Sequence, residues 1–273
     1  MITSLSNLSI KHIRRLARDR KSRQESGQFF IEGLRIVGEA IQQGAPLDLL
    51  VFSPDLLVSV YGQGLVKEAI DQGCEVLEVS AEVFHAISQK DGPQGIAAVA
   101  RQRWQQLDQL VLAQGDLWIA LYQVADPGNL GAVIRTMDAV GGQGVILLNH
   151  ATDAFDPAAV RASMGALFSQ KLVRATFDEF RAWKQVQAVS IVGTSDAATI
   201  DYHGFSYPAP LVLLMGSERQ GLPPLAEEIC DALVSIPMQG VCDSLNLAVA
   251  AGVVLYEILN QRRETSNAWE RAS

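Results

Sequence analysis

The chain has 273 residues, 48% of them hydrophobic, with a net charge of −8 and a mean hydropathy of +0.14. This is enough apolar material for one large globular domain or two ordinary ones. No apolar run reaches the roughly 18 residues of a membrane-spanning helix. The N-terminal segment has no charged-then-apolar leader pattern. Its three cysteines (Cys74, Cys230 and Cys242) have neither disulfide-like nor metal-like spacing, so a cytoplasmic protein with reduced thiols is expected.

The acidity is uneven. Between Ile10 and Arg23 lie Lys11, Arg14, Arg15, Arg18, Arg20, Lys21 and Arg23 against the single acid Asp19. A basic segment on an acidic protein suits a local contact with polyphosphate, and a solvated helix face is the alternative. The apolar spacing from Ser9 to Ala17 predicts a helix with Ser9 as its N-cap. Strands are then expected at Phe29–Gly33, Leu47–Phe52, Glu75–Val79 and Gly95–Ala100. Helices are expected at 34–43, 64–72 and 81–88, two of them followed by glycine (Gly44 and Gly73). Residues 1–104 thus read as a small α/β domain, and the polar, Gln-rich stretch 105–115 reads as a linker.

A second α/β unit is expected over 116–262. Its strands are near-continuous apolar runs: Leu117–Tyr122, Gly144–Leu148, Val189–Gly193, Leu211–Met215 and Ala232–Ile236. Such runs suit a parallel sheet covered on both faces. Helical segments at 129–140, 157–168, 177–187 and 224–230 alternate with them, and a last, apolar helix is expected at 244–262. Residues 263–273 read as a flexible tail.

Three segments of this unit couple a Gly- or Pro-bearing turn to polar side chains after an apolar run: Asp126–Arg135, Met215–Leu222 and Ile236–Leu247. Loops held by buried strands are where α/β folds place ligands. No P-loop sequence is present, no Gly-x-Gly-x-x-Gly opens the first strand–helix turn, and the four histidines match no zinc spacing. Arg135 offers a planar fork for phosphate or a developing oxyanion, with a surface ion pair as the alternative. Asn129 either caps a helix or meets a ligand. Glu218 follows a strand into a loop, and Ser244 and Asn246 stand at a helix start, where capping is the plain reading.

In order, these segments closely resemble the SpoU-type (TrmH-like) RNA ribose 2′-O-methyltransferases of the SPOUT superfamily. The matching residues are Asn129-Leu130-Gly131-Ala132-Val133-Ile134-Arg135, then Gly216-Ser217-Glu218 with Gly221-Leu222, then Ile236-Pro237-Met238 with Ser244-Leu245-Asn246. Arg161-Ala162-Ser163-Met164-Gly165-Ala166 is also typical. Ala248 departs from relatives that often carry serine there. The resemblance implies a parallel-sheet SPOUT domain with a deep trefoil knot and a homodimer with sites near the subunit interface. It implies S-adenosylmethionine held by loops at Thr194, Gly216, Ile236 and Leu245, and no metal.

It further implies a catalytic set of Arg135, Asn129, Glu218, Ser244 and Asn246. Arg135 would act on the ribose hydroxyl as base or as electrostatic stabiliser, Glu218 would position Arg135 or Asn129, and Ser244 and Asn246 would orient the ribose. The first hundred residues look like the ribosomal-protein-like substrate domain often fused to this family. Lys11, Arg14, Arg15, Arg18, Lys21 and Arg23 would then contact RNA, ribosomal RNA more readily than transfer RNA. A catalytically silent RNA-binding protein that keeps the fold is the alternative reading.

Overall fold

The alternation of apolar runs with capped helical segments produces two α/β units in a computed structural model, which describes the backbone of residues 1–272 and the side chains of residues 1–264. One unit comprises Met1–Arg103 together with Asp153–Ser169. The other comprises Trp104–Thr152 and the chain from Gln170 onward.

The first unit contains α1 (Leu8–Leu16), α2 (Arg20–Ser26), β1 (Gln28–Glu32), α3 (Leu34–Gln42), β2 (Leu47–Phe52), α4 (Val60–Asp71), β3 (Glu75–Glu78), α5 (Ala81–Ile87) and β4 (Ile96–Arg101). Its sheet has the order β1-β4-β2-β3, with β4 antiparallel to both neighbours and β2 parallel to β3. Helix α1 buries Ile10, Ile13 and Leu16 against Phe30, Val83 and Phe84. It starts two residues earlier than the apolar spacing suggests. Asn7 is its cap, the side-chain oxygen accepting from the Ser9 amide at 2.9 Å; such a cap contributes about 1 kcal/mol.

One expectation is corrected here. Arg23 is 1% exposed and cannot present its charge to RNA. Its Nε donates to Asp153 at 2.7 Å, its Nη2 to Asp156 at 3.1 Å and its Nη1 to the Leu16 carbonyl at 2.8 Å. The fork thereby ties the end of α1 to the Asp153–Ser169 excursion. Lys11, Arg15, Arg18 and Lys21 are exposed and Arg14 is half-buried, so these five keep an outward charge. Lys21 also approaches Glu25 at 3.7 Å, an exposed i,i+4 pair of small energetic weight.

In the excursion, α7 (Pro157–Ser163) ends where Met164 and Gly165 both take positive φ. The single helix expected over 157–168 is therefore a short helix followed by a 3-10 turn.

The second unit contains β5 (Leu117–Tyr122), α6 (Pro127–Ala139), β6 (Gly144–Leu148), β7 (Lys171–Ala175), α8 (Phe177–Val186), β8 (Ser190–Thr194), β9 (Ile200–Asp201), β10 (Leu211–Met215), α9 (Pro224–Glu227), β11 (Ala232–Ser235) and α10 (Leu247–Ala272). The sheet is parallel throughout, in the order β7-β6-β5-β10-β8-β11-β9. Strands β5, β6 and β10 are almost wholly buried, as their unbroken apolar sequences require. Two edge strands, β7 and β9, were not expected; one is mixed apolar and charged and the other has two residues.

The stretch read as a linker packs into this unit. Leu107 and Leu110 are buried beside Trp183, whose indole nitrogen donates to the Leu110 carbonyl at 3.0 Å. Helix α10 begins at Leu247, three residues later than expected. The proposed tail continues its backbone, and the side chains beyond Glu264 lie outside the described residues.

Candidate active site

The three turn-bearing segments meet at the carboxyl edge of the parallel sheet. Strand β10 lies between β5 and β8, and β8 lies between β10 and β11. Gly216 follows β10, Thr194 closes β8 and Ile236 follows β11, so three loops leave adjacent strands at one edge. Ligands of open α/β sheets bind there.

The loop after β10 is rigidly built. Ser217 and Gly221 exchange backbone hydrogen bonds of 3.1 and 3.0 Å, with Gly221 at positive φ. A Cβ on Gly216 would collide with the backbone of Gly221 and Leu222. Gly216→Ala is therefore expected to force this loop open, costing about 1–3 kcal/mol of stability as overpacked substitutions do, and to abolish binding of the S-adenosylmethionine that the sequence resemblance implies for this loop. Gly115→Ala, where the added methyl meets nothing within 4 Å, is the control. Thermal melts and calorimetric titration with S-adenosylmethionine check both; unchanged binding by Gly216→Ala would refute the role given to the loop.

This closure aims Glu218 at the start of α6. Its carboxylate accepts from the Ala125 amide at 3.1 Å, the Asp126 amide at 3.2 Å and Asn129 Nδ2 at 3.1 Å. Partial burial pushes the carboxyl upward, but the Asn129 amide and the backbone donors outweigh it and hold Glu218 below its ordinary range. Asp126 caps α6 by accepting from the Asn129 amide at 2.7 Å. Asn129 has therefore surrendered the capping role to Asp126, and its side chain is left for the site.

Asn246 completes the chain. Its Nδ2 donates to Asn129 Oδ1 at 2.9 Å, and its Oδ1 accepts from the amides of Ala248 and Val249 at 2.9 and 3.3 Å. Asn246, rather than Ser244, is thus the cap of α10. Ionised Glu218 can only accept and the helix amides can only donate, so both amide orientations are determined. Each asparagine keeps one N–H unspent among the described residues. The site presents hydrogen-bond donors held in place from both ends.

Asn129, Glu218, Arg219, Ser244, Leu245 and Asn246 line one open cleft. Four of the five residues expected to be catalytic and one of the four expected to hold cofactor therefore come together. Thr194, Gly216 and Ile236 do not line it and stand at the ends of β8, β10 and β11. Arg135 does not line the cleft: it is exposed on α6 and makes no hydrogen bond or ion pair among the described residues. Of the two residues Glu218 was expected to position, it is hydrogen-bonded to Asn129. Arg219 went unassigned in the sequence reading, although its place directly after Glu218 in a tight loop was a usable signal.

No cluster of three or more His, Cys, Asp or Glu suited to a metal occurs among the described residues. Burial pushes the Cys230 thiol up to about 12, with Asp231 and Glu227 adding to the shift, which removes it as a nucleophile. No helix among the described residues is long and apolar enough to cross a membrane.

Two α/β units, one of them a parallel sheet with three loops leaving adjacent strands at one carboxyl edge, define the class of a two-unit α/β protein with a candidate ligand site at that edge. Residues 116–256 match the SpoU rRNA Methylase family and residues 7–98 match the MRM3-like substrate binding domain. The chain belongs to the SpoU methylase family. It is 31% identical over 251 residues to the 23S rRNA (uridine(2479)-2′-O)-methyltransferase of Streptomyces viridochromogenes, spanning 89% of this chain and 86% of that one. The crystal structure of an AdoMet-bound rRNA methyltransferase from Sinorhizobium meliloti superposes with a TM-score of 0.86 at 38% identity, covering 94% of this chain and 96% of the other. The SpoU methyltransferase AviRb from Streptomyces viridochromogenes, in complex with AdoMet, gives a TM-score of 0.83 at 29% identity, covering 94% and 98%.

Proposed function

We propose that this protein transfers the methyl group of S-adenosylmethionine to a ribose 2′-hydroxyl of ribosomal RNA. The observation that carries the reading is the donor-presenting chain Glu218–Asn129–Asn246 beside three strand-end loops. It occurs in a chain similar over nearly its whole length to a 23S rRNA 2′-O-methyltransferase and to an AdoMet-bound rRNA methyltransferase.

S-adenosylmethionine supplies an electrophilic methyl on a sulfonium. The residues around it must bring the hydroxyl in line and accommodate the negative charge that grows on its oxygen as the proton leaves. Thr194, Gly216, Ile236 and Leu245 hold the cofactor, largely through the backbone of the three loops. The free N–H groups of Asn129 and Asn246 orient the ribose oxygens, with Ser244 at the cleft wall. Holding both reactants in register supplies several kcal/mol of the barrier. Glu218 is a positioning residue: its depressed pKa and spent lone pairs make it a poor base.

Arg135 acts on the hydroxyl or its flanking phosphate from outside the cleft of its own protomer. This suits a homodimer. Val249 and Tyr256 lie one heptad apart on α10, are 52% and 48% exposed, and form an apolar face beside α6, which packs against the same helix. The return of α10 to α6, next to β5, from β11 on the far side of β10 and β8 supports a trefoil knot. Exposed Lys11, Arg15, Arg18 and Lys21, with Arg14, provide RNA contacts in the substrate domain.

The test is mapping of 2′-O-methylation on ribosomal RNA incubated with the purified protein and S-adenosylmethionine. Arg135→Ala is expected to abolish transfer with cofactor affinity changed less than about threefold. Retained transfer by that variant would remove Arg135 from the chemistry, and absence of any methyl mark with the wild type would overturn the reading itself.

A further inference from the structure

The cleft holds one charge that the transfer reaction as described leaves unused. Asp126 and Glu218 also lie at this cleft, but both are turned inward: Asp126 caps α6 and Glu218 accepts three donors. Arg219 is the opposite case. It is exposed, lines the cleft, and makes no hydrogen bond or ion pair among the described residues. The loop carrying it is closed by the Ser217–Gly221 bonds and by the backbone contact at Gly216. Its backbone is therefore placed without a ligand.

We infer that Arg219 binds the RNA phosphate next to the target ribose, an inference that rests on the methyl-transfer reading above. Of the two anions at hand, the RNA phosphate and the cofactor's carboxylate, the anchoring of the loop favours the first, although Leu245 of the cofactor set lines the same cleft. Glu218 ties the loop to Ala125, Asp126 and Asn129, on the β5–α6 side of β10. Thr194 and Ile236 stand on the opposite side, at β8 and β11. Arg219 shares its cleft with the amides that face the ribose, one residue from the carboxylate that orients them. A planar guanidinium grips two phosphate oxygens at once. It also offsets the repulsion that a polyanion would meet from two carboxylates.

The experiment compares wild type, Arg219→Ala and Arg219→Lys in the full chain, using deproteinised 23S ribosomal RNA as the probe. RNA affinity is measured over a range of KCl concentrations, S-adenosylmethionine affinity by calorimetry, and methyl transfer in single turnover. Arg219→Ala is expected to weaken RNA binding about tenfold and to lower the slope of log affinity against log salt by ~0.7–0.9, the signature of one lost phosphate contact. Cofactor affinity should stay unchanged. Arg219→Lys should restore the slope but not the full rate, because a point charge lacks the fork.

An unchanged slope, or a loss confined to cofactor affinity, overturns the inference while wild-type transfer leaves the reading of the enzyme intact. A wild type that binds the RNA but transfers no methyl group overturns that reading instead.

Discussion

Glu218→Gln is expected to cut methyl transfer by about 10²-fold or more, the scale associated with small misplacements of reacting groups, while the melting temperature barely moves. The change is nearly isosteric, so the effect is one of polarity. Oε2 accepts from the Ala125 amide, and Oε1 accepts from the Asp126 amide and Asn129 Nδ2. A glutamine places its NH2 against at least one of these donors whichever way it turns. If Asn129 flips in response, its NH2 faces that of Asn246, whose oxygen is committed to the amides of Ala248 and Val249. The error therefore propagates to both groups that face the ribose.

The wild-type pH profile follows from the same contacts. Because the folded pKa of Glu218 is depressed, its contribution is fully present above the ordinary carboxylate range and is lost only as pH falls through the depressed value. Transfer limited by this group is thus flat through neutral pH and declines only on acidification below the ordinary glutamate range. Single-turnover rates for both proteins, with separate cofactor titrations, check the prediction. A glutamine variant with wild-type turnover would show that Asn129 is oriented by something else.

Arg23→Ala is expected to destabilise the first unit by about 3–5 kcal/mol, the usual result of removing one partner from a buried ion pair. Asp153 is 5% exposed and would be left charged without its 2.7 Å partner, and the Leu16 carbonyl would lose its donor. Arg23→Met combined with Asp153→Asn should recover much of the loss, because the desolvated charge goes with its partner. Urea unfolding followed at the first unit, with the midpoint falling at constant slope, measures it. If Arg23 served RNA instead, Arg23→Ala would leave the midpoint in place and change only the salt dependence of RNA binding.

Most of the architecture was legible because both kinds of periodicity were clean. The unbroken apolar runs at Leu117–Tyr122 and Leu211–Met215 required a strand buried on both faces, and they are adjacent in the sheet. Weak local signals were lost. Lys171–Ala175 mixes two charges with three apolar residues without a strict period, and Ile200–Asp201 is too short to show one. The break at Met164 was invisible because an αL backbone at a methionine has no local signature. Leu107 and Leu110 looked too sparse for a core, since their partner Trp183 is more than seventy residues away in the chain.

The sequence by itself determined the class of fold, the three loops and the residue types of the site, because turn chemistry and buried strands are written locally. Only the tertiary structure decided how the polar groups are spent. Asp126 takes the cap at α6 and so frees Asn129, Asn246 rather than Ser244 caps α10, Glu218 is hydrogen-bonded to Asn129, and Arg23 is a buried tie rather than an RNA contact. Each of these is a choice among partners far apart in the chain. Hydrogen-bond donors and charges are satisfied by whatever the fold brings within about 3 Å, and residue spacing along the chain carries no record of that distance.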